Sequence, residues 1–170
     1  LSACQAIATP VPTATSTATI GPTPTATASP TATPLPTPVP IVRIGSGDTA
    51  LFQGDYDQAR EQYQTAFSES TDRGIQAAAL WGLARTDIER EQYQAALDTL
   101  TKLTGEYPES TYAARAYFLM GQAYYALQKY QQAADAYNTY TNRVPGVLDA
   151  YVQEYRGDSL YQAGDYTNAI

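Results

Sequence analysis

The chain has 170 residues, no histidine and a single cysteine, Cys4. Without histidine, no Ser/His/Asp or Cys/His nucleophilic arrangement can form, and imidazole bases and imidazole metal ligands are excluded. One cysteine excludes a disulfide within the chain. Positive charge is scarce: 10 Lys and Arg face 17 Asp and Glu, for a formal net charge of −7. The charge lies after residue 40, because the first 40 residues contain no Asp, Glu, Lys or Arg. A domain of that sign repels polyanions, so neither nucleic acid nor an anionic lipid headgroup is an expected partner. No glycine-rich phosphate loop is present, since Gly45-Ser46-Gly47 lacks both the spacing and the lysine. Carboxylates such as Asp87, Glu89 and Glu91 are scattered along helix-like stretches, where a solvated surface is expected rather than a paired acid–base site. No catalytic residue, cofactor or metal is therefore predicted.

What is present divides sharply. Nine of the 11 prolines lie in the first 40 residues, and all 15 tyrosines lie after residue 55. Residues 5–40 are almost wholly Thr, Pro, Ala and Ser, with too little apolar surface to offset the entropy of ordering. A disordered linker is expected there, biased by proline towards polyproline II. At ~3.1 Å per residue it would reach on the order of 100 Å. Clustered Ser/Thr with Pro also suits an O-glycosylated stalk, but a plain spacer is the preferred reading. Ahead of it, Leu1-Ser2-Ala3-Cys4 resembles a bacterial lipobox, whose cysteine receives lipid after signal-peptide cleavage. The resemblance implies lipidation of Cys4 and a membrane partner reached through that anchor. It also implies a place in a bacterial cell envelope, on the extracytoplasmic face of a membrane.

Residues 41–170 repeat. Tyr56, Tyr93, Tyr130 and Tyr166 follow one another at spacings of 37, 37 and 36 residues. Each is followed three positions later by alanine: Ala59, Ala96, Ala133 and Ala169. Within Tyr112–Pro145 the small residues Ala114, Gly121, Ala126, Ala133 and Ala136 are expected where helices touch. Tyr117, Met120, Tyr124, Tyr130, Tyr137 and Tyr140 are expected to fill the gaps. This order, ending at Pro145, resembles the tetratricopeptide-repeat pattern. The resemblance implies an all-α solenoid of stacked helical hairpins, with three full units and a truncated fourth.

The punctuation supports that register. Gly54 suits a left-handed helix end and Asp55 a following N-cap. Gly164-Asp165-Tyr166 repeats the device, while Glu91-Gln92 and Gln128-Lys129 replace it in the middle turns. Pro108 and Pro145 should stop second helices, and Ser110 should cap the next first helix. Unit one is expected from Ile44, a loop over 69–74, and unit two from Ala77. A fourth unit that stops as its second helix begins suggests a fragment.

In the tetratricopeptide family the first helix of each unit lines the concave groove. Carried over by position, this gives Ala78, Trp81, Arg85 and Ile88, then Arg115, Phe118, Gln122 and Tyr125, then Tyr151, Glu154, Asp158 and Tyr161. Aromatic rings beside a few charges suit a protein or peptide partner. Trp81 and Phe118 could equally be core between repeats. Residues 145–170 resemble the helical N-terminal region of lipid-anchored, soluble-lytic-type murein transglycosylases. That resemblance implies a non-catalytic arm, with peptidoglycan reached through a separate lysozyme-like domain. The unit TYAARAYFLMGQAYYALQKYQQAADAY resembles repeats of Tol-Pal coordinators and outer-membrane assembly lipoproteins, which implies a stand-alone adaptor. Whether the whole protein is an enzyme stays open between these two.

Overall fold

The structure is a computed structural model and describes residues 39–146 and 149–169. Cys4 and the Thr/Pro-rich stretch up to residue 38, on which the lipidation and linker expectations rest, lie outside the described residues. Seven helices follow one another: α1 (Pro40–Gln53), α2 (Tyr56–Glu69), α3 (Arg73–Glu89), α4 (Tyr93–Glu106), α5 (Thr111–Ala126), α6 (Tyr130–Arg143) and α7 (Asp149–Gln162). No strand occurs among the described residues, and none of their helices is long and apolar enough to cross a membrane.

The repeat register is visible in the helix boundaries. Tyr56, Tyr93 and Tyr130 are the first residues of the second helices α2, α4 and α6. Ala59, Ala96 and Ala133, one turn later, are completely buried. The turn before each tyrosine is closed by one recurring bond from a backbone N–H to the carbonyl five residues earlier. Its lengths are 2.9 Å at Asp55–Ala50, 2.8 Å at Gln92–Asp87, 2.8 Å at Lys129–Tyr124 and 2.9 Å at Asp165–Leu160. That bond needs a left-handed residue just before it. Gly54 and Gly164 take this conformation at φ 79° and 84°, and Glu91 and Gln128 take it at φ 58° without glycine's freedom. The Asp55 carboxylate accepts from the Gln58 N–H at 3.1 Å, and the Ser110 hydroxyl oxygen accepts from the Tyr112 N–H at 3.2 Å. Pro108 and Pro145 each follow the end of a second helix, at Glu106 and Arg143.

Some expected boundaries move. The first helix starts at Pro40, ahead of Ile44, because proline at the first helical position brings its own φ and needs no donor there. The loop over 69–74 narrows to Ser70–Asp72, and unit two starts at Arg73 rather than Ala77. The cause is Asp72, whose carboxylate accepts from the N–H groups of Gly74 (2.7 Å) and Ile75 (3.1 Å) and so starts α3 early. In α5, Ala126 is exposed and Ala114 only half-buried; Ala113, Ala116, Gly121 and Ala123 make the close contacts instead.

Each helix packs on its neighbours in sequence, and α1 also packs on α3 and α3 on α5. The first helices therefore form an inner layer, with α3 inserted between α2 and α4 and α5 between α4 and α6, as stacked hairpins require. The core is distributed along the stack. Ala50, Leu51, Ala59 and Tyr63 join α1 to α2. Leu80, Leu100, Leu103 and Tyr107 anchor α3, α4 and α5. Tyr137, Tyr140 and Val152 join α6 to α7. Full burial of Leu100 and Leu103 is worth about 1.5–3 kcal/mol each.

One position controls how closely the helices of a hairpin approach. Gly47, Ala84 and Gly121 occupy equivalent sites on α1, α3 and α5, opposite Tyr63, Leu100 and Tyr137 on the second helices. A β-carbon at Gly47 would lie 2.6 Å from the Tyr63 ring, and one at Gly121 would lie 2.5 Å from the Tyr137 ring. Where the partner is leucine, alanine fits. Tyr63 also presses on Gly82 of α3, and its hydroxyl donates to Asp48 Oδ1 at 2.8 Å. Burial, then the bond to Asp48, pushes the Tyr63 pKa well above the ordinary phenol value.

Candidate binding groove

On α3, α5 and α7 the candidate residues recur in one helical register, at i, i+3, i+7 and i+10, which keeps each set on one helix face. Trp81, the only tryptophan, is half-buried at the middle of α3, its ring 6.0 Å from that of Tyr112. One turn on, Arg85 Nη1 lies 3.3 Å from Asp48 Oδ1, the same oxygen that accepts from Tyr63. Arg85 is thereby committed to a neighbouring carboxylate.

Between α3, α5 and the end of α6 lies a cavity of about 440 Å³. Trp81, Arg115 and Phe118 line it with Tyr140, Val144 and Pro145. The lining is chiefly apolar, and Arg115 supplies the one charge at its rim. Phe118 serves two purposes there. Its ring meets Tyr137 at 5.7 Å, Tyr140 at 5.6 Å and Tyr155 at 6.1 Å, so it also holds α5, α6 and α7 together.

A second cavity, of about 290 Å³, lies between α5 and α7. Gln122, Tyr125 and Asp158 line it with Tyr137 and Tyr155. The Asp158 carboxylate that shares this cavity, then burial, pushes the Tyr125 pKa up to about 12. Tyr151 and Glu154 border an adjoining recess of about 190 Å³, again with Tyr155 and Asp158. Tyr161 stands at the far end, edge-on to Tyr166 at 5.2 Å. Ala78 is buried and Ile88 half-buried, so neither offers much surface.

The structure thus gathers Trp81, Arg115 and Phe118 around one cavity and Gln122, Tyr125 and Asp158 around another. Arg85 and Tyr161 line neither. Tyr137, Tyr140, Pro145 and Tyr155 were not among the candidates, although they complete both walls. Tyr155 had a signal: it stands 36 residues after Leu119, which stands 37 after Gly82. That is the position facing the preceding second helix. Among the described residues, no group of Cys, Asp and Glu is placed to hold a metal ion.

Residues 43–147 match the family model of the tetratricopeptide repeat-like domain, and the chain belongs to that family. Solved structures share its architecture. MamA from Desulfovibrio magneticus RS-1 superposes with a TM-score of 0.63 at 20% identity, over 76% of this chain and 69% of that one. A further crystal structure of MamA gives 0.65 at 21%, over 76% and 71%. A thermophilic TPR protein in Thermus thermophilus gives 0.61 at 21%, over 77% and 69%. At these identities the likeness concerns the fold. Proteins of this fold bind protein partners.

Proposed function

We propose that the chain belongs to a cell-envelope repeat lipoprotein whose concave groove holds a segment of a protein partner. The observation that carries the groove is the cavity of about 440 Å³ framed by Trp81, Arg115 and Phe118 on consecutive first helices. An apolar recess with one charged side chain at its rim suits an anchoring side chain of a bound peptide. Trp81→Ala and Tyr125→Ala should each weaken partner binding by about 1–3 kcal/mol without loss of helix content. If binding falls only as helicity falls, those side chains are core and the groove assignment fails.

The envelope assignment rests on the Leu1-Ser2-Ala3-Cys4 start and the uncharged stretch after it. With a signal peptide in place, Cys4→Ala should move the protein from the membrane to the soluble fraction. A variant that stays with the membrane contradicts the anchor. Within the envelope, the resemblance of residues 145–170 favours the non-catalytic arm of a peptidoglycan lytic transglycosylase. The resemblance of residues 111–137 to adaptor repeats supports the second reading, a stand-alone adaptor in envelope assembly. The coding sequence beyond Ile170 separates them. A lysozyme-like domain with a glutamate-serine pair in a helix supports the arm, and a stop codon after one or two further repeats supports the adaptor.

A further inference from the structure

The charge on this chain is unevenly matched. All five ion pairs among the described residues lie ahead of residue 110. Farther on, Lys129 and Arg143 lie over the rings of Tyr124 and Tyr117, which line a separate cavity. Arg156 donates to Gln153 at 3.4 Å. Glu154 and Asp158, both exposed on α7, form no ion pair with any described residue. They stand among aromatic rings. Asp158 lines the cavity shared by Tyr125, Tyr137 and Tyr155, and both carboxylates line the recess between Tyr151 and Tyr155. Tyr151 and Tyr155 meet edge-on at 4.8 Å with hydroxyls 2.5 Å apart, and Tyr155 stacks on Tyr137 at 5.7 Å. Ring faces carry negative potential and attract cations, so rings and carboxylates act here with the same sign.

We propose that this corner of α5 and α7 receives a positively charged side chain, a lysine or arginine of the partner, held against Tyr125, Tyr151 and Tyr155 between Glu154 and Asp158. The inference rests on the groove reading above and names the chemistry of its occupant. The raised pKa values of Tyr125 and Tyr155 agree with it. The Asp158 carboxylate beside Tyr125 and the bond between Tyr155 and Tyr151 are the chief causes, and the charge of Glu154 adds to the second.

The test titrates the 170-residue chain with hexalysine and with hexaglutamate, each fluorescently labelled. Hexalysine should bind and hexaglutamate should not. The pair Glu154→Gln with Asp158→Asn should weaken hexalysine binding about tenfold. The pair Asp98→Asn with Asp135→Asn removes the same charge from exposed positions on α4 and α6 and should change it by no more than about twofold. Tyr151→Leu, at an exposed ring, should weaken binding with helix content unchanged. Equal losses in the two charge pairs would mean diffuse attraction to an acidic protein and would overturn the site, as would binding of hexaglutamate or no binding of hexalysine. Failure of the groove reading is separate: partner binding would then be insensitive to Trp81→Ala, whatever hexalysine does.

Discussion

Gly47→Ala isolates the contact that sets hairpin spacing. The added methyl would sit 2.6 Å from Tyr63 Cε1, where carbon atoms ordinarily stay about 3.5–4.0 Å apart. The ring cannot retreat. Its other neighbour is Gly82, where a β-carbon would lie 2.3 Å from the same atom, and its hydroxyl is held by Asp48 at 2.8 Å. Overpacking of this kind costs about 1–3 kcal/mol. Alanine's helix propensity returns about 1 kcal/mol, so a net destabilisation of up to about 2 kcal/mol is expected. In a domain of this size that lowers Tm by up to about 8 °C, read by thermal denaturation followed by circular dichroism. The chain itself supplies the control, because Ala84 faces Leu100 at the equivalent pair. In a Tyr63→Leu background, Gly47→Ala should stop destabilising and contribute up to about 1 kcal/mol of helix propensity. The coupling between the two substitutions should then be about 1–3 kcal/mol. The same loss in both backgrounds would refute the reasoning, since no ring would then be meeting the methyl.

Two further outcomes follow from polar groups. Asp87 is almost fully buried and pairs with Arg60, which also donates to Gln92 at 2.8 Å. Arg60→Ala strands that carboxylate and should destabilise by about 3 kcal/mol in denaturant titration, more than loss of the exposed Arg73–Glu109 pair, at about 0–1 kcal/mol. Burial nonetheless raises the Asp87 pKa above the ordinary carboxylate value, so the folded state holds that proton more tightly than the unfolded chain. The stability it contributes is complete below the unfolded value and is lost as pH rises through the folded one, and Asp87→Asn should remove that fall. At the hairpin turns, Gly54→Ala should cost about 1 kcal/mol at φ 79°, whereas Glu91→Gly and Gln128→Gly should each stabilise by a few tenths to about 1 kcal/mol.

The hairpins were legible in the sequence because their signals are local. A tyrosine-alanine pair at a fixed period marks each hairpin turn without knowledge of the packing, helped by glycine at Gly54 and Gly164 and by a proline after α4 and after α6. The start of α3 was harder to place, because Asp72 caps it from inside a stretch that reads as loop. The groove was only half legible. Position along the first helices found Trp81, Arg115, Phe118 and Tyr125, but the opposite wall comes from α6 and the turn after it. Phe118 shows why a choice between groove and core had no answer in the sequence: its ring packs on Tyr137, Tyr140 and Tyr155 while the residue also lines the cavity. The partner of the groove candidate Arg85 was not legible, because Asp48 lies 37 residues away on the preceding first helix.

We propose that partners dock on the inner layer of first helices. A photo-cross-linking residue placed singly at Arg115, Gln122, Gln94 or Asp135 in the full protein, in a bacterial cell, tests it most directly. The first two positions lie on α5 in the groove, and the last two are exposed on the second helices α4 and α6. Discrete adducts are predicted from Arg115 and Gln122, abolished by Trp81→Ala, with none from Gln94 or Asp135. Adducts that arise chiefly from the second-helix positions, or that persist unchanged in Trp81→Ala, would contradict the account.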